Sequence, residues 1–417
     1  QFRVEDWVVV WVSIPLLALA AVAPSALPKV PATLLGGAAW SNIACLFAIV
    51  LVVLYAGCLM LRRPLRGLLA SLVVVFAVSL LAQIVAKIPS VSYYGFESVF
   101  FSVLFGLLIR NVWRVPAWLK PAIQGEFYIK IGIVCLGATI LFGEILHSGV
   151  YALAQAFIVV FLVWYFAFWV SRRMKVDDEM ATMLSSSVSI CGVSAAIATC
   201  GVIKGDSKKL SYIISLVLVC AVPMMYVMPW LAKLILPALL GDPKVVEEVA
   251  GAWMGGTIDT TGAVVASGAL LGETAEQTAV IVKSSQNVLL GLAAFVISLY
   301  WSYRGREGQE RPSAGVIWDR FPKFVVGFVA VSLLFSLFFD GGAGTTDALV
   351  RRTAKNFSNT LFSIAFVCIG LETRFSEIFS KENRNALWAF LTAQAFNIVV
   401  TFLVALLLFG VLKPMWA

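Results

Sequence analysis

The sequence predicts an all-α polytopic membrane protein with about 11–13 transmembrane helices, inverted repeats and discontinuous, crossing helices. Three observations predict it. Of the 417 residues, 61% are hydrophobic and 13% are charged, where a soluble domain carries about 25% charge. Apolar windows of about 17–25 residues recur from one end of the chain to the other. Two of those windows are interrupted by hydroxyls and glycines, which hydrocarbon tolerates only where protein or water satisfies the backbone groups set loose.

In order, the windows are 7–25, 40–61, 67–88, 97–110, 127–146, 150–170, 181–203, 209–238, 250–271, 277–302, 321–339, 357–374 and 385–412. The first ends in Ala21-Val-Ala23, which resembles a leader cleavage site. Glu5 and Asp6 carry the wrong charge for a leader, so it reads as a membrane helix. The fourth is short for a crossing, and the seventh and ninth hold the breaks. Residues 1–90 read as N-terminal membrane helices, 91–245 as a first inverted repeat broken near 185–196, and 246–417 as a second. A local likeness of Val134–Ile145 to Val367–Ile378 suggests another pairing, but five windows against five is the tidier match. With the N-terminus in the cytoplasm, most of the 31 lysines and arginines fall on the cytoplasmic side. The exception is Lys204-Gly-Asp-Ser-Lys-Lys209, which falls outside unless the seventh window fails to cross. The polar stretch Tyr303–Arg320 reads as a cytoplasmic connector.

The net charge of +8 lies in short loops rather than on one face, which argues against nucleic acid. Seven cysteines without CxxC spacing fit neither a disulfide framework nor a zinc site. The single histidine, His147, sits at a helix end. There is no P-loop, GxGxxG or HExxH pattern, so no cofactor and no metal is expected.

The chemistry gathers in three places. Ser185–Ser194 offers Ser187, Ser189, Cys191, Gly192 and Ser194, and a half-helix N-terminus at such a break suits an anion. Cys191 has no histidine base in any window, so catalysis is not expected of it. Trp253–Gly262 offers Gly256, Thr257, Asp259 and Thr260. A carboxylate inside a membrane segment is expensive and marks function, here the holding of a coupling H+ or Na+ by Asp259. Lys283, Gln286 and Asn287 share one helical face, and Lys283 is expected to pair with Asp259 and to offset the charge of an anion.

Ser-Ile-Cys-Gly-Val-Ser-Ala-Ala (189–196) and Gly-Ala-Trp-Met-Gly-Gly-Thr-Ile (251–258) resemble two motifs of the bacterial inner-membrane proteins named as sulfate exporters. The resemblance covers roughly residues 40–410. It implies a distant relation to the bile-acid:sodium symporters and cation–proton antiporters, a multi-pass protein of the bacterial inner membrane, and by analogy a homodimer. The chain departs from that family where Asp259 and Thr260 replace a His-Glu pair, and where Gln286 replaces an arginine. The expected function is an alternating-access secondary transporter of a small anion, such as sulfate, sulfite or an organic acid, in the lipid bilayer. The alternative is a cation–proton antiporter built on Asp259.

Overall fold

The computed structural model describes residues 5–24, 37–88, 98–113, 115–140, 142–303, 318, 321–339, 346–373 and 384–416. Most of the connector 303–320 lies outside them. Every regular element among the described residues is helical, and eight helices are long and apolar enough to cross a membrane. The chain divides into two compact units, each drawn from two separated stretches.

The first unit joins Gln1–Gly143 to Lys323–Thr373. It holds α1 (Glu5–Val22), α2 (Gly37–Met60), α3 (Leu68–Ala86), α4 (Ser98–Val112) and α5 (Gly125–Leu136). From the later stretch come α13 (Lys323–Phe338) and α14 (Thr346–Glu372). The helix α14 is the buried axis, packed on α3, α4 and α5. Small residues let it approach closely: a Cβ on Gly106 would lie 2.5 Å from Val367 O, and one on Gly370 would lie 2.6 Å from Val103 O. Ser363 bonds Ser79 and Ser102, each at 2.9 Å. The window 127–146 is interrupted too, because α5 stops at a 3-10 turn, Gly137–Thr139. Glu5 and Asp6 are ion-paired, Glu5 to Arg63 at 2.6 Å and Asp6 to Lys130 at 2.9 Å.

The second unit joins Glu144–Pro322 to Arg374–Ala417. Its long helices are α6 (Phe142–Arg173), α9 (Ser207–Leu239), α12 (Glu273–Tyr303) and α15 (Arg384–Ala405). A wide turn, Leu406–Leu412, and a last helical turn follow α15. Between the long helices lie four short ones: α7 (Asp178–Ser189), α8 (Gly192–Ile203), α10 (Pro243–Thr257) and α11 (Thr261–Ala269).

The windows 181–203 and 250–271 are broken where the hydroxyls and glycines stand, but neither crosses. Each is a hairpin whose two arms return to the same end. Lys209 Nζ, just after the first hairpin, meets Asp177 Oδ1 at 2.8 Å and Glu179 Oε2 at 3.3 Å, just before it. Glu179 also accepts from Asp206 N–H. At the second hairpin, a Cβ on Gly272 would lie 2.7 Å from the Glu247 carboxylate, and Gly272 has a φ of +142°, which a side chain rarely adopts. The arms are too short to cross: 12 residues of α7 or α8 reach about 18 Å against about 30 Å of hydrocarbon. Lys204, Lys208 and Lys209 therefore stand at the same end as Arg172 and Arg173, which removes the exception in the charge map.

Capping starts both hairpins. Asp177 accepts from Met180 N–H at 3.1 Å, and Asp242 accepts from Lys244 N–H at 2.8 Å ahead of Pro243. The helix α9, about 50 Å long, carries the chain from the base of the first hairpin to the base of the second. The hairpins therefore enter from opposite ends. Hairpin plus long helix thus occurs twice in succession, α7–α8–α9 and then α10–α11–α12, in inverted sense. At the second base, Lys413 Nζ reaches Glu248 Oε2 at 2.7 Å and Ser148 Oγ at 3.1 Å, closing that end.

Burial pushes the Asp177 carboxyl up, but the hydrogen bonds from Lys209 and Met180 N–H outweigh it and set the pKa below the ordinary value. The contribution is therefore whole above the usual carboxylate range and is lost as pH falls through the folded pKa. Asp177→Ala is expected to cost about 1 kcal/mol and Asp177→Asn much less, since Asn also caps. Thermal unfolding of the two variants at neutral pH checks this.

Candidate functional site

The two hairpin tips meet inside the second unit. Gly192 N–H donates to Asp259 O at 2.9 Å, main chain to main chain across the tips. Only glycine permits the approach: a Cβ at 192 would sit 2.3 Å from Val217 and 3.2 Å from the Asp259 Cβ. The N-terminal ends of α8 and α11 also touch, with Cys191 Sγ 3.7 Å from Thr261 Oγ1. Asn287 Nδ2 donates to the same hydroxyl at 3.5 Å. Apolar side chains jacket this point, among them Val160, Ile190 and Leu290.

The C-terminal ends of α7 and α10 converge on Lys283. Its Nζ donates to Ile190 O at 2.7 Å, Ile258 O at 2.9 Å and Gln286 Oε1 at 3.1 Å. The expected pairing with Asp259 is an attraction through space and not a contact pair. Lys283 makes no hydrogen bond to Asp259; its donors go to the carbonyls that the breaks leave unbonded. Both carboxylate oxygens of Asp259 are buried without a hydrogen-bond partner among the described residues.

The remaining sequence-predicted residues all lie at or next to this junction. Ser187 Oγ donates to Gly192 O at 2.9 Å across the first break, and Ser189 Oγ donates back to Ser185 O at 2.7 Å. Ser194 is half-buried in the first turn of α8, and Thr260 caps α11 by accepting from Ala263 N–H at 3.4 Å. Gly256 lies against Gln155 and Thr401, and its carbonyl accepts from Gln286 Nε2 at 3.0 Å. Thr257 O accepts from Gln394 and Asn397, while its buried hydroxyl has no partner among the described residues.

Gln394 and Asn397, amides inside an apolar window, are of the kind expected to tie helices together, and here they tie the two tips. Asn397 Nδ2 reaches Val188 O at 3.1 Å and Thr257 O at 3.2 Å, one carbonyl from each tip. Thr401 Oγ1 donates to Asn397 Oδ1 at 2.8 Å and fixes the amide. Their spacing was the signal: 394, 397 and 401 mark a polar stripe on one face of an apolar helix. Asn397→Leu is expected to cost about 1–3 kcal/mol by orphaning Val188 O. Thr401→Val, which removes only the orienting bond, is expected to cost less. Unfolding midpoints of the two variants give the order.

The model of the family described as conserved hypothetical protein 698 matches residues 67–389. A UPF0324 membrane protein of Rhodopirellula baltica is 36% identical over 380 residues, covering 89% of this chain and 68% of that protein. One of Nitratidesulfovibrio vulgaris is 36% identical over 359 residues, covering 83% and 60%. A third, named TauZ, from Paracoccus denitrificans, is 28% identical over 318 residues, covering 76% and 90%. No solved structure matches the chain. The matched stretch contains both hairpins, Asp259 and Lys283, and the eight long apolar helices make the protein multi-pass. The chain therefore belongs to the conserved hypothetical protein 698 family of membrane proteins.

Proposed function

We propose that the protein is a secondary active transporter working by alternating access, with a small anion such as sulfate, sulfite or an organic acid as cargo. One observation carries the reading: two hairpins entering from opposite ends bring their broken tips together, with the N-terminal ends of α8 and α11 in contact at Cys191 and Thr261. Irregular backbone at such a depth is the way carriers hold a substrate, and positive helix ends favour negative charge. Half-buried Ser194, Thr260 and Thr261 supply hydroxyls at that point. Asp259 takes the coupling ion, H+ or Na+. Uptake of labelled sulfate and sulfite into liposomes holding the pure protein tests the cargo. Thr261→Val should lower the flux severalfold; equal flux with and without protein rejects the cargo.

A cation–proton antiporter is the second reading, and it too has an observation of its own. Asp259 keeps both oxygens unpartnered, while Lys283 spends its donors on carbonyls. Proton movement driven by Na+ or K+ and indifferent to sulfate would select it.

The orientation follows from charge. The base of the first hairpin carries Arg172, Arg173, Lys175, Lys204, Lys208 and Lys209, which supports assigning that end to the cytoplasmic side, with a bacterial inner membrane as the proposed location. In the first unit, the end bearing Arg62, Arg63 and Arg66, where Arg63 pairs with Glu5, is cytoplasmic by the same rule, and with it the N-terminus. A membrane-impermeant maleimide on spheroplasts should label Gly241→Cys and spare Lys204→Cys, each scored against the unsubstituted protein. The opposite pattern inverts the assignment.

A further inference from the structure

We infer that the junction of the two hairpin tips is a site for an ammonium-sized monovalent cation, and that the chain fills it with its own Lys283. The ligands are oxygen atoms with no proton to give: Ile190 O, Ile258 O and Gln286 Oε1. The Gln286 amide is held in that sense because its Nε2 already donates to Gly256 O at 3.0 Å. A neutral amine has two N–H groups, so three bonds to three pure acceptors require the charged –NH3+ form. Two of the three acceptors are the last carbonyls of α7 and α10, where helix dipoles concentrate negative charge. Lys283 is 1% exposed, so no water competes for these oxygens.

The cradle is shared between two chain segments that also meet through the Gly192–Asp259 main-chain bond and the Cys191–Thr261 contact. A cation in it neutralises both C-terminal ends and holds the tips together. Placing that cation on a side chain makes its occupancy independent of the surrounding medium. This inference rests on the folded junction and not on the cargo reading above; its test measures stability, and the flux assays can fail without touching it.

Three variants, Lys283→Arg, Lys283→Met and Lys283→Ala, are purified and melted in 100 mM ammonium chloride and in equal choline chloride. The charged Arg variant should melt above the Met variant, which keeps the length and loses the charge. Ammonium, and not choline, should raise the Ala variant by about 3 °C or more, and should raise neither the Met variant nor the unsubstituted protein. An Ala variant recovered folded only when ammonium is present gives the same answer. If the Ala variant is recovered in neither salt, the order of the Arg and Met variants decides. A Met variant at or above the Arg variant overturns the inference, as does an Ala variant on which ammonium and choline act alike. Failure to recover any of the three folded in either salt also overturns it, since the position would then demand the lysine's shape rather than a cation.

Discussion

Asp259→Asn is expected to bring coupled transport down to the protein-free background while the protein stays folded. Both oxygens of the carboxylate meet no donor among the described residues, and a charge inside a membrane segment is kept for function rather than for stability. Its main-chain carbonyl, which accepts from Gly192 N–H, survives the substitution. Lys283 also keeps its three acceptors, although it loses the through-space attraction of the Asp259 carboxylate. Relief of the carboxylate's desolvation opposes the loss of its attraction to Lys283, so the melting temperature should move by less than about 5 °C. Flux into liposomes and thermal unfolding are read on the same preparation. A variant that still couples, or that loses flux only because it no longer folds, removes Asp259 from the mechanism.

Gly255→Leu is expected to destabilise by about 3 kcal/mol or more, with little folded protein recovered. A Cβ at 255 would lie 2.6 Å from Ala279 O and 2.9 Å from Val282 Cβ, and one at 251 would lie 2.4 Å from Ala275 O. These neighbours include backbone atoms of α12, which cannot turn aside as a side chain can. The helix α10 would have to retreat from α12, drawing Ile258 O away from the Lys283 ammonium and opening the junction. Gly241→Leu is the control, because nothing lies within 4 Å of its added Cβ. Equal melting of the two variants would show that the close packing of α10 on α12 carries no weight.

Much of this was legible beforehand, for local reasons. Ser-Ile-Cys-Gly and Gly-Gly-Thr-Ile-Asp-Thr-Thr-Gly announce that a helix stops, since capping residues and glycine compete with helical bonding wherever they occur. Asp259 and Lys283 announce themselves by cost. The serine hydroxyls also have local partners: Ser185, Ser186 and Ser189 donate to carbonyls one turn back, a habit of hydroxyls in apolar helices. Gln394 and Asn397 are legible as residues that tie helices, but an amide in an apolar helix does not say which distant carbonyl it will meet.

Composition and pattern alone determined the membrane class, the places where α7 and α10 end, and the residues whose burial is expensive. Only the tertiary structure decided that the chain turns back at each break instead of continuing. Only it decided that the lysine's hydrogen bonds go to two helix ends, and that Asn397 bridges the tips. A break frees carbonyls locally, and this is written in neighbouring residues. The donor that satisfies them comes from wherever packing brings one, and for Ile190 that is 93 positions along the chain.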